Sequence, residues 1–142
     1  MRTYFLRYER QCENALQVSR FLLAHPKVKS VHYAGLPEHP QHALAAKQMR
    51  NFGTVMSVDL DGGNREAAVF AESLKYFSMA ASVGSTESLV MPPQLLGGAE
   101  FTAEQRAASL LAPGTVRLSI GIEDPEDLIE DLNQALAQAF GT

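Results

Sequence analysis

Cysteine is almost missing: Cys12 stands alone among 142 residues, so no disulfide can form within the chain. A lone thiol fits a reducing, cytoplasmic setting. No apolar run approaches the length of a membrane span. Met1-Arg2-Thr3-Tyr4-Phe5-Leu6-Arg7 lacks the apolar stretch and small-residue cleavage site of a secretory signal. Positive charge is sparse and interrupted. The net charge is -4, and Arg2, Arg7 and Arg10 alternate with Glu9 and Glu13, which excludes a nucleic-acid surface built on a basic stripe. Gly62-Gly63 and Gly97-Gly98 have neither the spacing nor the following lysine of a phosphate-binding loop. His25, His32, His39 and His42 cluster in sequence, but no HExxH or cysteine set accompanies them, so they read as surface histidines and no metal site is expected. There is no nucleophile elbow.

What is present reads as one domain over residues 1–142 with interleaved helices and strands. A long amphipathic helix is expected from about Thr3 to Ala24. Its stripe is Phe5, Tyr8, Cys12, Ala15, Leu16, Ser19 and Leu22, and His25-Pro26 ends it. That stripe makes Cys12 a buried, inert thiol. The helix begins almost at Met1 without a cap residue, which suggests a piece of something longer. Val28–Tyr33 reads as a strand, and 41–49 as a helix. Thr54–Leu60 alternates, with Met56, Val58 and Leu60 on one face and Val55, Ser57 and Asp59 on the other. Asn64 is the expected cap of the next helix. Phe77–Val83 and Glu87–Met91 read as strands, and Thr102–Gln105 has capping-box form.

The richest stretch is Val116–Leu128. Val116, Leu118, Ile120 and Ile122 alternate with Arg117, Ser119, Gly121 and Glu123, the pattern of a strand with one apolar face. Asp124 then reads as an N-cap with Pro125 at the first helical position. Glu123, Asp124, Glu126 and Asp127 could pair as catalytic carboxylates, but their place at a helix start reads as cap and dipole charge. Strands that alternate this cleanly bury one face only. The expected class is therefore α+β, a mostly antiparallel sheet with helices packed on one face. The other face is left for solvent or a partner domain. Two polar positions stand out on this frame, Arg117 and Ser82. A strand arginine of this kind is either solvated or a fixed carboxylate or phosphate binder.

At these residues the chain resembles a known family. Gln11 and Asn14-Ala15, His25-Pro26-Lys27-Val28, Val31–Leu36, Phe52–Ser57, Ser82–Leu89 and Val116–Leu132 follow in order. Together they resemble the C-terminal domain of the pyridoxal-phosphate (PLP) enzymes of cysteine and methionine metabolism. Those are the trans-sulfuration enzymes: cystathionine gamma-synthase, cystathionine beta- and gamma-lyase and methionine gamma-lyase. The resemblance implies the small C-terminal domain of fold-type I PLP enzymes and a parent C–S lyase or transferase acting on cystathionine or homoserine esters. It implies that Arg117 binds the α-carboxylate of a small amino-acid substrate, with Ser82 beside it. It also implies a homo-oligomer. Ala81 stands where some gamma-cleaving members carry glutamate, and Phe77-Ser78-Met79-Ala80 resembles a bacterial cystathionine beta-lyase, which leans away from a glutamate-dependent gamma-lyase. The segment Met91–Gly98 lacks a histidine that many members carry. The family's Schiff-base lysine belongs to an N-terminal domain, and Lys27, Lys29, Lys47 and Lys75 lie in no such segment. The chain alone is thus expected to hold no PLP, to have no catalytic residue of its own and to be inactive. The rival expectation is a non-catalytic α+β module that binds a small molecule or dimerises.

Overall fold

Burial along the first helix begins at Gln11. In the structure, a computed structural model that describes residues 2–96, 102, 104 and 112–141, helix α1 runs Tyr4–Ala24 and buries Gln11, Cys12, Asn14, Ala15, Val18, Ser19 and Leu22. The expected stripe holds from Cys12 onward. Phe5 is the exception: it is 73% exposed, because the first two turns project beyond the core. His25 ends the helix in an extended conformation, as the following proline requires. Strand β1 (Val28–His32), helix α2 (His42–Gln48), strand β2 (Val55–Leu60) and helix α3 (Asn64–Ser73) follow. Then come β3 (Ser78–Met79), β4 (Leu89–Met91), a single helical turn α4 (Pro93–Leu96), β5 (Thr115–Ser119) and the last helix, α5 (Pro125–Phe140).

The strands form one sheet in the order β1-β2-β5-β4-β3. All neighbours are antiparallel except β3 and β4, which are parallel. The class is α+β, as the alternation implies. One face carries Val31, Met56, Val58, Leu60, Val90, Val116 and Leu118. It joins Ala15, Val18 and Leu22 of α1, Phe70 of α3 and Leu128, Leu132 and Leu136 of α5 in a single apolar cluster. Each such fully buried Leu or Phe contributes about 1.5–3 kcal/mol relative to exposure.

Two expectations are corrected. The strand expected over Phe77–Val83 stops at Met79, and Ser82 lies in the loop that follows. Ala80 N donates to Val90 O, and at Gly84 the backbone turns through φ +76°, leaving strand geometry. Asn64 is not the cap of α3. Gly63 takes that position, and the Glu66 carboxylate accepts from Gly63 N at 2.7 Å. Asn64 Oδ1 instead accepts from Gly114 N at 3.1 Å. Gly114 sits at φ +89° with Gly62 O only 2.7 Å from where a Cβ would be, so the entry to β5 admits no side chain. The short helix expected to open at Thr102 runs into residues outside the described set.

Candidate functional site

β5 is the central strand, and pairing fixes its polar face. Arg117 lies opposite Ser57 on β2 and Met91 on β4. Directly opposed residues share a face, so Thr115, Arg117 and Ser119 line the side away from the helices. Arg117 is half-buried. Its Nη2 donates to the main-chain oxygen of Ser82 at 3.1 Å. The structure thus brings the two sequence-selected residues together, through the Ser82 carbonyl. Among the described residues no carboxylate lies within ion-pair distance of Arg117. A planar cation held at one corner with its charge unmatched is suited to grip an incoming carboxylate or phosphate.

The loop from Ser82 to Ser88 is fastened to the end of β5 and to α1. Gly84 N donates to Ser119 Oγ at 3.2 Å. Ile122 N donates to Thr86 O at 2.9 Å. Gln11 Nε2 donates to Ser85 O at 2.6 Å and to Ile120 O at 3.2 Å. Asn14 Nδ2 donates to Gly121 O at 3.1 Å and Glu123 O at 2.7 Å. The Glu123 carboxylate accepts from Ser88 N at 2.6 Å and from Ser88 Oγ at 3.0 Å. Ser88 Oγ in turn accepts from Gly121 N at 2.9 Å. A Cβ on Gly121 would meet Thr86 O and Ser88 N at 2.5 and 2.6 Å. Only glycine lets the two backbones approach this closely.

The acidic helix start therefore divides. Asp124 caps α5, its Oδ1 accepting from Glu126 N at 2.9 Å, as expected. Glu123 is corrected: it is neither cap nor dipole charge but the anchor of the loop. The sequence pattern also gave no role to Ser88. Gln11 and Asn14 carried a signal, two amides set among the apolar positions of α1.

The remaining polar groups of this face form a separate cluster. Asp59 accepts from Ser30 Oγ at 2.6 Å and from Thr115 Oγ1 at 2.5 Å, and its Oδ2 lies 2.7 Å from His32 Nε2. Burial pushes this carboxyl up, but the bonds from Ser30, Thr115 and His32 outweigh it and leave the pKa lowered. His25 Nδ1 and His39 Nδ1 accept from nearby backbone N–H groups, and His42 Nδ1 bonds Ala34 O. Among the described residues no group of three metal-ligating side chains converges. Cys12 is a free, buried thiol whose pKa burial raises. No described helix is long and apolar enough to cross a membrane.

Known proteins resemble this chain over nearly its whole length. The family described as Cys/Met metabolism PLP-dependent enzyme matches residues 1–137. The chain belongs to that family. An L-methionine gamma-lyase of Fusobacterium nucleatum subsp. polymorphum is 43% identical over 136 residues, 96% of this chain and 34% of the relative. A cystathionine beta-lyase of Coxiella burnetii is 43% identical over 136 residues, 96% of this chain and 35% of that protein. A crystal structure of cystathionine gamma synthase from Xanthomonas oryzae pv. oryzae, in complex with cystathionine, superposes with a TM-score of 0.91 at 43% identity. The match covers 99% of this chain and 36% of that one. The chain spans about a third of the length of these relatives.

The cofactor that the family name implies needs an amine for its aldehyde and donors for its phosphate. The lysines here do not gather at Arg117. Lys27 Nζ stands 5.3 Å from the centre of the Phe140 ring, and Lys29 lies on edge strand β1. Lys47 is in the last turn of α2, and Lys75 follows α3 with its backbone N on the Asp131 carboxylate. Among the described residues, the surroundings of Arg117 fit a carboxylate, and none of these four lysines is bonded to that site to take the cofactor's aldehyde.

Proposed function

We propose that this chain is the C-terminal, substrate-carboxylate-binding domain of a PLP-dependent C–S lyase or transferase of cysteine and methionine metabolism. Its substrates would be amino acids of the cystathionine or homoserine-ester type. The observation that carries the reading is Arg117, a half-buried guanidinium on the central strand, anchored on the Ser82 carbonyl and without a carboxylate partner among the described residues. Its role is to take the α-carboxylate of the substrate in a two-bond grip and so fix the orientation of the reacting carbon. Ser82 flanks that carboxylate. PLP, when present in the parent enzyme, supplies the electron sink, and a lysine-bearing N-terminal domain supplies its site. The chain alone binds no PLP and turns nothing over. The parent works as a homo-oligomer in the cytoplasm. Exposed Tyr4, Phe5 and Leu6 at the start of α1 support contact with further protein.

The test is a fusion of this chain to the remaining two-thirds of the Xanthomonas oryzae cystathionine gamma synthase. The fused protein is expected to turn over substrate, whereas the 142-residue chain with added PLP does not. In the fusion, Arg117→Ala should lower kcat/KM by about 100-fold, chiefly through KM, the scale of a lost charge-assisted bond. Unchanged kinetics in Arg117→Ala, or cystathionine turnover by the chain alone, would sink the reading.

A further inference from the structure

The anchoring of the 82–88 loop has a feature that sheet packing alone does not require. Its strongest tie is a carboxylate, Glu123, which takes both the N–H and the hydroxyl of one fully buried serine, Ser88. Ser88 Oγ relays this tie by accepting from Gly121 N, and Gly84 N of the same loop reaches Ser119, two residues beyond Arg117 on the same face. The far end of the loop delivers the Ser82 carbonyl to Arg117. Asn14 holds the Glu123 main chain in place from α1. The loop is therefore clamped from Gly84 to Ser88, with Gln11 and Ile122 holding Ser85 and Thr86 between them, and presents the Ser82 carbonyl to the guanidinium.

We propose that Glu123 and Ser88 are positioning residues of the carboxylate site, acting by fixing the 82–88 loop so that Ser82 orients the Arg117 guanidinium towards the substrate. This rests on the reading of Arg117 as the carboxylate binder. Charge matters to the clamp. Ser88 Oγ accepts from Gly121 N with one lone pair and gives its single O–H proton to Glu123, so the partner must accept from both the hydroxyl and the N–H of Ser88. A carboxylate does so with both oxygens, whereas an amide offers one oxygen and a competing N–H₂ donor.

The test uses the full chain, ¹⁵N-labelled and titrated with L-alanine and with L-alaninamide, which lacks the carboxylate. The Arg117 Nε–H resonance and hydrogen exchange at the Gly84 amide are the readouts. Wild type is expected to show a saturable response to alanine and none to the amide. Arg117→Ala should abolish the response of neighbouring resonances. Ser88→Ala and Glu123→Ala should raise the alanine Kd by about 3- to 10-fold, the scale of one lost hydrogen bond, and speed exchange at Gly84. Glu123→Gln should fall between them and wild type. Asp124→Ala, which loses the adjacent helix cap, should lower the melting temperature without moving Kd. If Ser88→Ala and the Glu123 variants lower only the melting temperature, positioning is overturned while the carboxylate reading stands. No response in wild type, or one that survives Arg117→Ala, overturns the carboxylate reading itself.

Discussion

Asp59 faces the same side of the sheet as Arg117, and its chemistry runs the other way. Where Arg117 has no opposite charge among the described residues, Asp59 has its acceptor sites taken by Ser30, Thr115 and His32. The fold holds it ionised, with its pKa below the ordinary value. A lowered folded-state pKa contributes stability above the unfolded aspartate value, about 4, and that stability is lost as pH falls through the folded value. Urea unfolding midpoints of the wild type should therefore drop on acidification below about pH 4, and Asp59→Asn should flatten that part of the profile. At pH 7, Asp59→Ala should cost about 1–3 kcal/mol, because the Ser30 and Thr115 hydroxyls lose their acceptor. Thus a charge satisfied by its own chain reads as stability, and one left open reads as a site.

The connection from β5 to α5 shows how neighbouring carboxylates take unrelated tasks. Asp124 satisfies an orphan N–H of the first turn, Pro125 follows at the first helical position, and Gly141 closes the helix at φ +67°. Asp124→Ala should destabilise the chain by about 1 kcal/mol in urea unfolding, as lost caps do. The Asp124-Pro125 start was legible in the sequence, because a cap depends only on residues within one turn. Glu123, one position earlier, points back across the sheet to Ser88, 35 positions away. No local signal distinguishes it from a dipole charge. The mistaken extension of β3 through Ser82 has the same origin. Short apolar residues at 77–83 suit a strand, but the loop is pinned elsewhere, by Ser119 and Gln11.

At the scale of the molecule, one apolar cluster joins the sheet to α1, α3 and α5. Phe70 and Leu132 are fully buried within it. Leu132→Ala should cost about 2–5 kcal/mol, read as a lowered urea midpoint, through lost burial and the cavity left behind. With the core on one face, the opposite face is free for polar work. Arg117, Ser82 and the Glu123–Ser88 tie all serve that face or the loop over it.

Alternation in β2 and β5, the Asp124-Pro125 helix start, the stop at His25-Pro26 and the buried Cys12 all follow from residues close in sequence. The α+β class was accessible on that basis; Arg117 and Ser82 were singled out by the same pattern and by the order of the family segments, and their role stays a proposal. What tertiary structure decided was the pairing of distant groups: Ser82 on Arg117, Glu123 on Ser88, and Asn14 on Gly121 and Glu123 across 107 and 109 positions. Periodicity and capping are set within a turn or a strand, where neighbours determine conformation. Which buried donor meets which carboxylate depends on how helix, loop and strand pack, and no short stretch of sequence contains that information.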